Sequence, residues 1–250
     1  MNQHTDILMN PKFPLAFILS GLFLLLYGMY FYYSPSPQTG QHSHTFEYNG
    51  AEFQYQLFIP EDYDTGRKKW PLILYLHGAS LRGDNIDKVK KYGLSRKIDR
   101  EADFPFLVLS PQCPPNQGWR DADWLIDLLD QTIAEYSVDP KRVYLTGVSL
   151  GGGGTWYWTG KYPDRFAAIA PLCGYGDPEQ AEALKDIPVW VFHGAKDQVV
   201  PVSVSEEMVK ALRKAGGEVK FTKFPKAGHS IVEEVYSDDN LYKWFLKHRK

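Results

Sequence analysis

The chain has 250 residues, of which 44% are hydrophobic and 23% are charged, and its net charge at pH 7 is −2. This composition is typical of a globular protein with one domain or at most two. It has no basic stripe, which argues against nucleic-acid binding, and its two cysteines are too few for a disulfide scaffold and lack the spacing of a zinc site.

The N-terminal region contains an uncharged, apolar run at residues 13–33. At about 1.5 Å per helical residue, this run would span roughly 30 Å, the thickness of a bilayer's hydrocarbon core. We therefore expect an uncleaved membrane anchor, the alternatives being a cleaved signal peptide or a buried soluble helix. Lys12 precedes the run, and no lysine or arginine follows it until Arg67. The positive-inside rule then places residues 1–12 in the cytoplasm and the rest of the chain outside, after a polar tether at residues 34–44.

From residue 45 onward, short apolar runs alternate with stretches of helical periodicity. Residues 45–59 predict a β-hairpin, because two strand-like stretches flank the turn pair Asn49-Gly50. Further strands are predicted at residues 71–76, 106–109, 142–146, 166–170, 189–192 and 219–224. Helices are predicted at residues 122–136, 151–162 and 203–215. Strands that alternate with helices predict an α/β domain at residues 45–250 with a doubly wound, mostly parallel sheet.

The motif Gly147-Val148-Ser149-Leu150-Gly151 lies between a predicted strand and a predicted helix. This GxSxG spacing is typical of a nucleophile elbow, in which a sharp turn lifts the serine hydroxyl above the sheet. Glycines on either side allow the chain to turn without a Cβ clash. The alternative is a glycine-rich strand-to-helix turn without a catalytic role. We predict that Ser149 is a nucleophile.

A serine nucleophile needs a base and a carboxylate that orients the base. After Ser149 the histidines are His193, His229 and His248, the last of them close to the C-terminus. His229 follows the last predicted strand and Asp197 follows the strand before it, so both lie at the edge of the sheet that carries Ser149. The order serine, acid, histidine therefore predicts Asp197 as orienting acid and His229 as base. The alternatives are an N-cap carboxylate and a surface histidine.

Two main-chain N–H groups are candidates for an oxyanion hole. One belongs to Leu150, directly after the nucleophile, and the other to Ala79, which follows His77-Gly78 at the end of a strand. For Ala79 the alternative is an ordinary strand-to-loop turn. Trp119, in a loop after a strand, is a candidate for the wall of a substrate pocket.

These segments resemble the α/β-hydrolase superfamily in order and context. The stretches LHGASLRGDN and SPQCP are similar to the group of esterases, dienelactone-hydrolase-like proteins and predicted peptidases, and the resemblance covers residues 45–250. It implies an eight-stranded sheet with Ser149 at the tip of the fifth strand. It also implies hydrolysis of carboxylic esters, some of them on carbohydrate-linked acyl groups.

We therefore expect a serine esterase that forms an acyl-enzyme and uses no metal or organic cofactor. Only residues 174–187 separate the sixth and seventh predicted strands, which leaves no room for a large cap domain. The expected substrate is a small-molecule or acylated-polymer ester with a short acyl group or a bulky alcohol. The alternatives are a serine peptidase and a non-catalytic binding protein on the same scaffold. Cys113 and Cys173 are expected to stay unbonded, because two strands separate their loops by about 14 Å.

Overall fold

One eight-stranded sheet organises the part of the chain that the computed structural model describes, residues 37–64, 66 and 68–250. Gln38–Lys250 form one compact unit. The strands are β1 (Gly40–Tyr48), β2 (Ala51–Ile59), β3 (Trp70–Leu76), β4 (Leu107–Pro111), β5 (Val138–Val148), β6 (Ala168–Leu172), β7 (Val189–Gly194) and β8 (Val219–Phe224). Their order is β1-β2-β4-β3-β5-β6-β7-β8, and all neighbours except β1–β2 and β2–β4 are parallel. The predicted doubly wound, mostly parallel sheet is confirmed.

Helices cover both faces of this sheet. They are α1 (Gly93–Ile98), α2 (Leu125–Glu135), α3 (Leu150–Lys161), α4 (Ala181–Leu184), α5 (Val202–Lys214), α6 (Val232–Tyr236) and α7 (Asp239–Phe245). Apolar side chains of α2, α3 and α5 pack on one face, and those of α1, α6 and α7 pack on the other. The central strand β3 is buried along its whole length, which explains its uninterrupted apolar sequence.

The N-terminal hairpin is longer than the sequence predicts. Strand β1 pairs with β2 over its full length, from Gly40 opposite Ile59 to Tyr48 opposite Ala51. The turn between them has positive φ at Asn49 (51°) and Gly50 (78°), as the Asn-Gly pair predicts. Strand structure therefore begins inside the predicted tether, 34–44. The sequence hides this start because β1 is an edge strand with little burial, so its first residues show no apolar alternation.

The predicted membrane anchor at residues 13–33 and the tail at residues 1–12 lie outside the described residues. Within the described ranges, no helix combines the length and the hydropathy that crossing a bilayer requires.

The connection between β6 and β7 is short, as predicted. It contains the single 3₁₀ turn Pro178–Gln180 and the four-residue helix α4, so no cap domain is inserted there. Cys113 and Cys173 are buried free thiols, which confirms that they are not bonded to each other.

Candidate active site

Ser149 lies on the sharp turn between β5 and α3. Its backbone has φ 57° and ψ −114°, a strained conformation for a residue with a side chain. The Ser149 N–H donates to the carbonyl of Leu172 on β6 at 2.8 Å. A Cβ at Gly151 would collide with the carbonyl oxygen of Leu76 on β3, so glycine alone permits this close approach of α3 to the sheet. The strand–turn–helix geometry of the GxSxG motif is therefore present.

The structure brings the three side chains predicted for catalysis into one hydrogen-bonded chain. His229 Nε2 lies 2.9 Å from Ser149 Oγ, and His229 Nδ1 lies 2.6 Å from Asp197 Oδ2. A carboxylate only accepts, so Nδ1–H donates to Asp197 and Nε2 accepts from the serine hydroxyl. This arrangement allows His229 to take the hydroxyl proton when Ser149 attacks an electrophile.

Asp197 is held by more than the histidine. Its side chain is fully buried, and its Oδ1 accepts from the main-chain N–H groups of Val199 and Val200 at 2.8 and 2.9 Å. Burial raises the pKa of Asp197, but the hydrogen bonds from His229, Val200 and Val199 outweigh burial and hold this pKa below its ordinary value. The carboxylate therefore stays ionised at neutral pH and can stabilise a protonated His229.

His193 supports the Asp197 loop, a role that we did not predict. This buried side chain places Nε2 at 2.9 Å from the carbonyl of Val200 and at 3.3 Å from Asp197 Oδ2. Since a carbonyl only accepts, Nε2 carries the hydrogen, and Nδ1 accepts from the hydroxyl of Ser205 at 2.7 Å. The only hint in the sequence is the position of His193 at the tip of an apolar strand.

Ala79 and Leu150 present their main-chain N–H groups beside the serine. Both residues line the cavity that contains Ser149, and neither N–H has a hydrogen-bond acceptor within the described part of the chain. Leu150 begins α3, where the first N–H groups of a helix have no partner within that helix. A Cβ at Gly78 would lie 3.8 Å from the Cβ of Ser149, which places the Ala79 turn next to the serine.

A series of buried hydrogen bonds holds the Ala79 turn in place. His77 donates from Nδ1 to the carbonyl of Gly78 at 2.7 Å and accepts from the N–H of Cys113 at 3.0 Å. Trp119 donates to the carbonyl of His77, and Trp158 donates to the carbonyl of Trp119. Burial lowers the pKa of His77 to about 4, so the ring is neutral at neutral pH. Trp119, predicted as a pocket wall, lines the cavity but is only 1% exposed and also anchors this turn.

A cavity of about 810 Å³ opens beside Ser149. The residues that line it are Ala79, Gly118, Trp119, Arg120, Asp121, Ser149, Leu150, Gly153, Gly154, Tyr175, Gly176, Val199 and Val200. They come from loops after β3, β4, β6 and β7 and from the start of α3, so the carboxyl edge of the parallel sheet forms the site.

Three possible metal ligands lie together near the site. Donor atoms of Cys173, His193 and Asp197 are within 4.8 Å of one another. However, burial raises the pKa of the Cys173 thiol to about 12, and a thiol binds metal as the thiolate. His193 and Asp197 already have hydrogen-bond partners. These three residues therefore do not suit a metal ion.

Comparison with known proteins identifies the family of the chain. The family model for phospholipase/carboxylesterase matches residues 116–240, which is half of the chain. The chain belongs to this family. A solved structure described as a thermostable esterase superposes with a TM-score of 0.71 and 32% sequence identity, over 84% of this chain and 63% of that one. The fold is thus an α/β-hydrolase fold.

Two curated relatives have names that describe different reactions. A bifunctional acetylxylan esterase/xylanase of Neocallimastix patriciarum is 34% identical over 154 residues, which are 57% of this chain and 22% of the relative. The acylamino-acid-releasing enzyme 2 of Oryza sativa subsp. japonica is 23% identical over 80% of this chain and 33% of the relative. The chain thus spans a third or less of either relative's length.

Proposed function

We propose that this protein is a serine hydrolase that cleaves carboxylic esters through an acyl-enzyme intermediate. The observation that carries the proposal is the hydrogen-bonded chain Ser149–His229–Asp197 beside two N–H groups with no acceptor, at an open cavity. The family match and the relatives whose names describe esterases support it.

In the proposed mechanism, Ser149 Oγ attacks the ester carbonyl carbon while His229 Nε2 takes the hydroxyl proton. The N–H groups of Leu150 and Ala79 donate to the oxyanion of the tetrahedral intermediate. Asp197 holds the histidine in the tautomer that accepts at Nε2 and stabilises its charged form. His229 then returns the proton to the leaving alcohol, and a water molecule activated by His229 releases the acid from Ser149.

The preferred bond is that of an ester with a compact acyl group, in a small molecule or on a polymer. The name of the acetylxylan esterase relative supports this class, because an acetylated polysaccharide combines a short acyl group with a bulky alcohol. Peptide-bond cleavage is a second candidate, favoured by the rice relative named as an acylamino-acid-releasing enzyme. Hydrolysis rates of matched acetyl esters, thioesters and amides separate the two candidates. A higher rate for the amide than for the matched ester would overturn our preference.

We keep the membrane anchor at residues 13–33 and a catalytic domain outside the cytoplasm as part of the proposal. An uncharged run of this length supports the anchor. Signal cleavage, which would release the domain, is the competing possibility, and N-terminal sequencing of the mature protein distinguishes the two.

Substitution of Ser149 and His229 tests the proposed mechanism. Ser149→Ala is expected to abolish hydrolysis of p-nitrophenyl acetate and labelling by a fluorophosphonate probe. Because the three side chains act as a unit, His229→Ala is expected to lower kcat on the order of 10⁴-fold. Ser203→Ala, at an exposed serine on α5, is the matched control and should behave as wild type. Retention of more than a tenth of the activity in His229→Ala would show that the base is another residue.

A further inference from the structure

Two exposed apolar side chains stand at the cavity beside Ser149. Tyr175 is 50% exposed and Val199 is 66% exposed. Within the described residues only one other large apolar side chain is exposed, Leu246, which lines a separate groove. Single exposed apolar residues are common on proteins, but two at one cavity indicate a surface that an apolar part of a ligand covers.

The position of the base relative to this cavity indicates which part of an ester it holds. Ser149 lines the cavity, as do the two oxyanion donors, Ala79 and Leu150, whereas His229 does not. The leaving alcohol must lie at His229 Nε2, which supplies its proton. With the carbonyl carbon on Ser149 and its oxygen at the two N–H groups, the remaining substituent, the acyl chain, extends into the cavity.

The cavity is large for a small acyl group, and glycine main chain forms part of its lining. Its volume of about 810 Å³ is at the upper end of ordinary ligand pockets and exceeds the need of an acetyl group. Glycine contributes four lining residues, namely Gly118, Gly153, Gly154 and Gly176. Walls of bare main chain allow a flat group to approach closely.

The main chain before Tyr175 is packed closely at this wall, whereas the Tyr175 ring has no partner of its own. A Cβ at Gly174 would collide with main-chain atoms of Gly152, so the segment before Tyr175 lies tightly against the start of α3. Within the described ranges, the Tyr175 side chain makes no hydrogen bond and no ring contact. Its face is therefore available to a ligand without rearrangement of the main chain.

We propose that this cavity is the acyl pocket and that Tyr175 determines specificity by stacking on an aromatic ring in the acyl group. The inference rests on the proposed function and extends it to a substrate class, esters of compact aromatic acids. Stacked aromatic pairs contribute beyond simple apolar burial, which corresponds to a factor of about 2 to 12 in kcat/KM. A saturated ring of equal size buries similar area but cannot stack in this way.

Three esters measured with the full chain test the inference: ethyl 3-phenylpropanoate, ethyl 3-cyclohexylpropanoate and ethyl acetate, the last as reference. We expect wild type to prefer the phenyl over the cyclohexyl ester in kcat/KM. Tyr175→Ala should reduce this preference by about 2- to 12-fold, and Tyr175→Phe should keep it, because phenylalanine retains the ring. Leu246→Ala, which removes the exposed apolar side chain outside the cavity, should leave the preference unchanged.

Two results would overturn the inference. One is an equal loss of phenyl and cyclohexyl ester turnover in Tyr175→Ala, which would mean that the ring only adds apolar area. The other is dependence on Tyr175 for 2-phenylethyl acetate but not for the phenylpropanoate, which would make the cavity the alcohol site.

A binding measurement separates this inference from the proposed function. In Ser149→Ala, 3-phenylpropanamide should bind about fivefold or more weakly once Tyr175→Ala is added, and this comparison needs no turnover. Unchanged affinity contradicts the role of Tyr175, whereas failure of wild type to cleave any of the three esters contradicts the hydrolase proposal alone.

Discussion

His77 is a buried histidine that the fold keeps neutral, and this makes stability depend on pH. Burial lowers its pKa from the ordinary 6.5 to about 4 in the folded protein. Between these two values the unfolded chain binds a proton that the folded chain does not. The stabilisation is therefore fully present above pH 6.5 and declines as the pH falls towards 4, by about 1 kcal/mol per pH unit at most.

His77→Gln removes this titration while keeping a side chain that can donate and accept. Between pH 6 and 4.5, the free energy of unfolding should fall less steeply with decreasing pH in the variant than in wild type. The two slopes should differ by about 1 kcal/mol per pH unit. Chemical denaturation of the full chain at several pH values measures the two slopes. Because all other histidines are common to both proteins, equal slopes would mean that His77 is protonated in the folded state.

The side chains proposed for catalysis could be found from sequence because each follows an apolar strand. Ser149, Asp197 and His229 come after β5, β7 and β8, and parallel strands bring their carboxyl ends to one edge. His193 could not be found, because its role depends on two partners, Val200 and Ser205, that only the folded loop places around it. The sequence around His193 does not indicate these contacts.

The glycines at the start of α3 are not equivalent, although all four residues from Gly151 to Gly154 lie in the helix. Alanine is more favourable than glycine within a helix by about 1 kcal/mol. At Gly153 an added Cβ meets its nearest neighbour at 3.7 Å, so Gly153→Ala should stabilise the protein by up to about 1 kcal/mol. At Gly151 an added Cβ collides with the main chain of β3, so Gly151→Ala should destabilise it by about 3 kcal/mol or more.

Urea denaturation of the two variants, which differ by two positions in one helix, checks this contrast. Similar stability of both would show that α3 does not pack on β3 at the distance found here.

Strands were predicted more completely than helices. Every strand of the sheet overlaps a predicted strand, although β5 begins at Val138, before the predicted residues 142–146. The helices α1, α6 and α7 were not predicted, because with five to seven residues each they are too short to show periodicity. Their apolar side chains become interpretable only once the sheet face that they cover is known.

At the scale of the whole fold, the cleft is open within the described residues, because the β6–β7 connection holds no cap domain. An open cleft cannot surround a long aliphatic chain, and each methylene left in water forgoes about 0.8 kcal/mol of burial. We therefore expect kcat/KM for p-nitrophenyl butyrate to exceed that for p-nitrophenyl palmitate by tenfold or more, when both are measured in the same detergent. A preference for palmitate would indicate a buried tunnel.

The architecture of the compact unit Gln38–Lys250 followed from alternation of strands and helices together with the resemblance to α/β-hydrolases. The N-terminal boundary of the domain did not follow from the sequence, because the first, polar residues of β1 have the composition of a tether. Edge strands expose one side to solvent and lack the apolar pattern by which central strands are found.

The Asp197 carboxylate joins two properties that protein engineers prefer to vary separately. One oxygen meets His229, and the other fixes the N–H groups of Val199 and Val200, which form part of the cavity wall. Substitutions at this turn are therefore expected to change turnover and selectivity together. The Tyr175–Gly176 stretch makes no hydrogen bond to these groups within the described chain, which makes it the more evolvable wall.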